Sequence, residues 1–224
     1  MLVTFRPCFT APTFETFTML VAGVAGLFAQ PVKRTVCGML TGAGLARIWH
    51  HSRAHRFFSA ARWNPRHVGL LLAELISTEL MTADAPITVA IDDTLFRRRG
   101  KKVHGAGWFH DGSAAGKVKL GFGDNWVVVA IIVILPFCSR PVTLPVLAAL
   151  AVKGGPTKPD LARGLLDVAE HFPDRDVHGV GDSAYGCGAF AGLGEGMTMT
   201  PEPKSTPCSL SSPHPGPGNG VDQR

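Results

Sequence analysis

The stretch Pro86-Ile-Thr-Val-Ala-Ile-Asp-Asp-Thr94 decides how this chain is read. A short β-branched run ends on two acids and a threonine. The same turn from apolar to polar recurs in Val177-His-Gly-Val-Gly-Asp-Ser-Ala-Tyr185. Each segment reads as a core strand that delivers a carboxylate, Asp93 or Asp182, to the carboxyl edge of a sheet, where α/β proteins build their sites. If the two strands are neighbours, the carboxylates converge. A divalent cation then relieves their repulsion, and Mg²⁺ suits oxygen ligands of this kind. Asp92 is an adjacent candidate that ranks below Asp93. A two-metal phosphoryl-transfer site ordinarily needs a third acid as well.

Working outward, the residues before Pro86 read as helical. Phe14, Phe17, Leu20, Val21 and Val24 recur at helical spacing, residues 35–47 form a glycine-softened second helix, and residues 52–61 and 67–81 complete the set. After the first strand, residues 97–124 are polar and glycine-rich with no long periodic element. Residues 126–135 are β-branched and read as a strand buried on both faces. They are too short to span a membrane as a helix. A further strand covers 142–146, with an alanine-rich continuation. Thr157 caps a helix over 157–172 that has Pro159 in its first turn and Pro173 beyond its end. The expected fold class is α/β: a helical N-terminal domain at 1–82, a mixed-sheet domain at 86–199, and a disordered proline-, serine- and glycine-rich tail at 200–224.

Composition narrows the function. The apolar fraction, 46%, belongs to a globular chain, and the net charge of +5 leans weakly toward a polyanionic partner. Residues 17–29 are apolar, but Glu15 precedes them and no basic leader does, which argues against a signal peptide. Five cysteines without a C-x-x-C pair make neither a disulfide framework nor a zinc ribbon. There is no phosphate-binding glycine fingerprint, and Gly121-Phe-Gly-Asp124 is not one. Gly181-Asp182-Ser183 is not a nucleophile elbow. His51 and His55 have the spacing of metal ligands but no intervening HExxH glutamate, so zinc is not expected.

Two basic tracts remain. Arg97, Arg98, Arg99, Lys101 and Lys102 follow the first acids directly and are placed to hold a nucleic-acid backbone across them. The second runs through Arg47, His50, Arg53, Arg56, Arg62 and Arg66, interleaved with Trp49, Phe57, Phe58 and Trp63. Its aromatics read as helix packing, and Arg53 and Arg56 as a phosphate-facing surface.

These residues, in order, resemble a family. Phe9-Thr-Ala-Pro-Thr-Phe-Glu-Thr-Phe17, Trp49-His-His-Ser-Arg-Ala-His-Arg-Phe-Phe58, Ala90-Ile-Asp-Asp-Thr-Leu-Phe96, Trp108-Phe-His-Asp-Gly112, Gly123-Asp-Asn-Trp126 and Gly181-Asp-Ser-Ala-Tyr185 are similar to bacterial insertion-sequence transposases with a DDE, RNase H-like catalytic domain, of the insertion-sequence-701-like branch. The resemblance runs from about residue 9 to 198. It implies that Asp93 and Asp182 are the first two acids of the DDE set and bind Mg²⁺ or Mn²⁺. It also implies double-stranded DNA as partner, at the element's terminal inverted repeats and at the target. Self-association, or pairing with an intact transposase, follows from the same likeness, as does a cytoplasmic bacterial setting without a membrane.

The family's third acid is a glutamate on a later helix, preceded by tyrosine and arginine and followed by lysine. Here only Glu195 and Glu202 follow Asp182, neither on a core-like helix. The expectation is therefore a catalytically incomplete transposase whose reading frame shifts near Thr200. The alternatives are a non-catalytic DNA-binding remnant that modulates an intact enzyme, and an unstable product with an exposed strand edge.

Overall fold

The computed structural model describes residues 1–30, 32, 35–100, 102–112, 114, 119–182, 185 and 197–201. Residues 202–224, nearly all of the expected disordered tail, lie outside the described residues. A 3-10 segment (Leu2–Cys8) leads into helices α1 (Ala11–Ala29), α2 (Val36–Gly42), α3 (His51–Ser59) and α4 (Pro65–Leu80). Strands β1 (Ile87–Arg97), β2 (Gly107–His110), β3 (Leu120–Val133) and β4 (Val142–Ala151) follow. Helix α5 (Lys158–Leu165), a 3-10 turn (Leu166–Val168), β5 (Val177–Gly181) and β6 (Met197–Pro201) complete the chain. The architecture is the expected mixed α/β.

β1 lies at the centre of a six-stranded sheet. It pairs antiparallel with β3 from Thr88–Ile132 to Arg97–Gly123, and parallel with β5 from Ile87–Val177 to Ile91–Gly181. β6 continues the parallel side next to β5. β4 and β2 share the far edge of β3. Pro145 sits in β4 beside a register shift opposite Val129 and Ala130, as a proline in an edge strand must.

Three sequence readings are corrected here. The first strand does not end at Asp93: it stays paired to β3 through Arg97, so Asp92, Asp93 and Thr94 lie inside it. The polar stretch 97–124 holds β2 and the start of β3, because glycines and a Trp108–Phe122 ring contact support a hairpin that lacks an apolar period. Finally, β3 is buried completely on one face only. Val127, Val129, Ile131 and Val133 are fully covered, while Val128 and Ile132 on the other face are half-buried. α4 and α5 cover the first face, and no described helix packs on the second. The helix expected over 157–172 is α5 followed by the short 3-10 turn, and its start is as read: Thr157 and Asp160 form a reciprocal capping box.

α4 connects the two layers. Ala73 and Ile76 enter the sheet core with Ile87, Val89 and Ile91. Val68, Leu71 and Leu75 pack on the other cluster, around Phe5, Phe9, Trp49 and Phe57. There Phe9 stacks on Phe17 at 4.7 Å and Phe57 on Trp63 at 5.2 Å, so most of the aromatics of the basic tract do serve packing. Phe58 meets the Phe57 ring edge to face at 5.2 Å but stays 66% exposed. α1, with a mean hydropathy of 1.3, is long and apolar enough to cross a membrane by length and composition, and here it packs on α2 and α3. Gly26 and Gly42 bring α1 and α2 into backbone contact: a Cβ on Gly26 would lie 2.1 Å from the Met39 carbonyl.

Gly69 sets the approach of α4 to the sheet, since a Cβ there would lie 2.3 Å from the Val146 carbonyl. Alanine gains about 1 kcal/mol of helix propensity. Forcing backbone apart in a packed interface costs about 1–3 kcal/mol. The second effect should win, so Gly69→Ala is expected to lower the urea midpoint. An unchanged or raised midpoint would show that α4 rides loosely on β4.

Candidate active site

β1 outruns β5. The parallel ladder closes at Ile91–Gly181, and Asp182 is the next residue after β5. Asp92, Asp93 and Asp182 therefore emerge together where the ladder stops, as the two motifs anticipate. Their strands are neighbours, and the last rung, Ile91–Gly181, sets Asp182 next to Asp92, with Asp93 one residue further along β1.

Side-chain alternation separates the two acids of β1. Asp93 shares a face with Ile87, Val89 and Ile91, under α5, and Asp92 lies on the opposite face. The Asp93 carboxylate is heavily partnered. Lys158 Nζ donates to its Oδ2 at 2.6 Å, Asn125 Nδ2 donates to the same oxygen at 3.1 Å, and Tyr185 Oη donates to Oδ1 at 3.2 Å. The lysine and aspartate side chains are 31% and 22% exposed, which makes this a partly buried ion pair. Asn125 is fully buried and comes from β3, opposite Leu95. Lys158 is the first residue of α5 and is held there by the capping box. Tyr185 is fully buried in the sheet core, and its backbone N–H donates to the Asp182 carbonyl at 3.0 Å in a tight turn.

The acids feel one another. Asp92 has its pKa raised, first by desolvation and then by the Asp93 and Asp182 charges. The Asp93 backbone N–H, which donates to Asp92 Oδ1 at 2.7 Å, and the Lys158 charge oppose the rise. Burial pushes the Tyr185 phenol well up, followed by the Asp93 charge, the hydrogen bond to Asp93, and the Asp92 and Asp182 charges. One tyrosine thus senses all three carboxylates.

Sequence reading missed Asn125, Lys158 and Tyr185. Asn125 and Tyr185 sit inside segments that already stood out, Gly123-Asp-Asn-Trp126 and Gly181-Asp-Ser-Ala-Tyr185, so a signal existed. Lys158 has none beyond its place after a capping threonine. The basic tract near the acids is divided in its contacts. Arg97 donates through Nε and a terminal nitrogen to Asp111 Oδ2, at 3.0 and 2.7 Å, and Arg98 pairs with Asp124 at 3.3 Å. Both acids are buried, so these arginines brace the β2–β3 hairpin. Arg99 and Lys102 are exposed, and Lys101 lies outside the described residues. Arg53 pairs with Glu15 at 3.2 Å and lies over the Trp49 ring. With Arg56 it lines a cavity of about 330 Å³ in the helical layer, and none of that cavity's walls belongs to an Asp93 partner. His51 and His55 meet edge to face at 5.9 Å. Glu195 and Glu202 lie outside the described residues.

The donor set fits a hard divalent cation in chemistry. Asp93 and Asp182 offer carboxylate oxygens, and the buried Oδ1 of Asn125, with no hydrogen-bond partner, leaves an oxygen acceptor unmet beside them. Among the described residues no group of three or more His, Cys, Asp or Glu side chains is arranged to hold a metal.

Carboxylates gathered at the end of a parallel strand pair, with the Lys158 ammonium on one of them, are a donor set compatible with phosphoryl-transfer chemistry. The family model of the DDE superfamily endonucleases matches residues 4–199, and the chain belongs to that family. No curated protein and no solved structure matches the chain. Endonuclease membership makes a nucleic-acid phosphodiester the substrate class, and nucleases of this superfamily generally use divalent metals.

Tyr185 is the chain's single tyrosine, so ultraviolet phenolate absorbance reports on it alone. Its folded pKa lies above the unfolded value of about 10, so its contribution to stability is complete below about pH 10 and is lost as pH rises beyond that. Phenolate should therefore appear only with unfolding, and Tyr185→Phe should flatten the alkaline loss of stability. Ionisation near pH 10 in the folded protein would contradict the buried contact with Asp93.

Proposed function

We propose that this chain is a bacterial insertion-sequence transposase of the DDE class, of the insertion-sequence-701-like branch, acting on double-stranded DNA in the cytoplasm. The observation that carries the reading is that Asp182 follows the last rung of the β1–β5 ladder, where Asp92 and Asp93 continue β1 beyond it. Asp93 and Asp182 would hold Mg²⁺ or Mn²⁺, with Asp92 on the far face as a lesser contributor. When bound, the ion supplies activation of water and stabilisation of charge on the phosphodiester oxygens. The protein's own residues set the stage. Tyr185 and Asn125 fix the Asp93 carboxylate, the α5 capping box fixes the backbone from which Lys158 reaches in, and the Asp111 and Asp124 pairs anchor the start of the β1–β2 connection that carries Arg99 and Lys102 toward DNA.

Apart from Asp92 on the far face, the described residues bring no further acid to Asp93 and Asp182. We therefore propose that this chain alone binds duplex DNA and cleaves it inefficiently. The second reading, a non-catalytic DNA-binding remnant that pairs with an intact transposase, draws support from the ammonium already seated on Asp93. The two differ in whether any cleavage survives. In a nicking assay with Mn²⁺ and terminal-repeat DNA, weak cleavage abolished by Asp93→Asn and by Asp182→Asn supports the transposase reading. Cleavage unaffected by either substitution would refute the site, and binding without any cleavage would favour the remnant.

The arginine contacts make the DNA test selective. Arg99→Ala with Lys102→Ala should weaken duplex binding and reduce the salt slope by about 2, without altering the melting temperature. Arg97→Ala should instead lower stability by about 1–2 kcal/mol, because it strips a buried Asp111 of its guanidinium. Equal effects of both changes on DNA binding, with no loss of stability for Arg97→Ala, would overturn this division.

A further inference from the structure

Lys158 stands in the wrong place for a purely structural lysine. Its ammonium lies 2.6 Å from Asp93 Oδ2, an oxygen that already accepts from Asn125. Oδ1 accepts from Tyr185. A carboxylate has room for only a few donors. The Asn125 and Tyr185 contacts come from fully buried groups on the sheet and in its core, whereas the lysine reaches in from α5 on a flexible stem that is 31% exposed. Of the three partners, Lys158 alone can leave without disturbing the core.

We propose that Lys158 is a displaceable counter-cation that occupies the metal-facing oxygen of Asp93, competes with the divalent ion for it, and moves onto a DNA phosphate when substrate arrives. This inference rests on the reading of Asp93 and Asp182 as metal ligands. Without a cation Asp93 would be a partly buried carboxylate close to Asp92 and Asp182, and the lysine neutralises it. An incoming ion meets both an occupied oxygen and a positive charge beside it, so the ammonium lowers the site's affinity for metal. A phosphodiester next to the site gives the ammonium another anion to pair with, which leaves Oδ2 accepting from Asn125 alone, with room for the ion. Metal and DNA binding are thereby coupled, and the coupling must be reciprocal. A nuclease arranged this way loads its ion chiefly when DNA is present.

The test is Mn²⁺ binding, followed by electron paramagnetic resonance, on the full chain with and without a terminal-repeat duplex. Without DNA, Lys158→Met should bind Mn²⁺ roughly fivefold more tightly than the parent, the scale of one partly exposed ion pair. Lys158→Arg, which keeps the charge, should stay near the parent. Adding duplex should tighten binding more in the parent than in Lys158→Met. Equal or weaker Mn²⁺ binding by Lys158→Met, or equal enhancement by DNA in both, would overturn the proposal. Should Lys158→Met fail to show a cooperative melt, Lys158→Gln carries the same comparison. Asp93→Asn separates the two levels of inference. If Asp93→Asn abolishes Mn²⁺ binding while Lys158→Met leaves it unchanged, only the role of Lys158 fails. If Asp93→Asn leaves Mn²⁺ binding intact, or no variant binds Mn²⁺, the metal site fails and this inference with it.

Discussion

The site depends on one mismatch of length: β1 continues for a full turn of side-chain alternation and more beyond the last residue that β5 pairs with it. Up to Ile91 the central strand is held on both edges. From Asp92 onward, among the described residues, β3 alone pairs with it and its β5-side edge has no ladder partner. A backbone with one open edge still keeps its side chains at fixed pitch, so Asp92 and Asp93 are placed rigidly yet remain reachable. Had β5 run as far, Asp182 would sit within the sheet as one more rung. Had β1 stopped at Asp93, as its sequence suggests, the acids would hang on a loop without the Asn125 contact.

Charge balance follows from that geometry. Three neighbouring carboxylates repel, and the fold answers at Asp93 with an ammonium from α5, an amide and a phenol, the last two from buried positions. The helical layer takes part through α4 and α5. Arg66 donates to the Gly164 carbonyl at 2.7 Å, tying the start of α4 to the end of α5, the helix that carries Lys158. The same logic operates in the hairpin, where Arg97 and Arg98 meet buried acids. A run of cations beside an acidic site is thus partly internal structure and partly outward-facing surface, and the division falls between Arg98 and Arg99.

Much of this was legible in the sequence. The strand-like runs before Asp93 and Asp182, the α4 face, the Thr157 cap and the apolar β3 all announce themselves through period, β-branching or capping chemistry. What was not legible depends on partners distant in the chain. The extension of β1 through Thr94 and Phe96 has no apolar alternation, because its partner Gly123 allows close backbone approach: a Cβ there would lie 2.2 Å from the Phe96 carbonyl. Glycines that argue for a loop when read locally are here what lets two strands pair. Lys158 is invisible for a related reason, since nothing in Thr157-Lys-Pro-Asp160 says which carboxylate the lysine will meet.

Asp93 and Asp182 are proposed to share a single ion site at the end of the β1–β5 ladder. Iron-directed cleavage of the polypeptide tests it most directly. Fe²⁺ replaces the native ion, ascorbate and peroxide generate hydroxyl radicals at the bound metal, and the cut positions are read by mass spectrometry. The account predicts cuts clustered near residues 91–94 and 181–183 together, both suppressed by excess Mg²⁺ and both lost in Asp93→Asn. Cuts near only one of the two segments, or a pattern that survives Asp93→Asn, would contradict it.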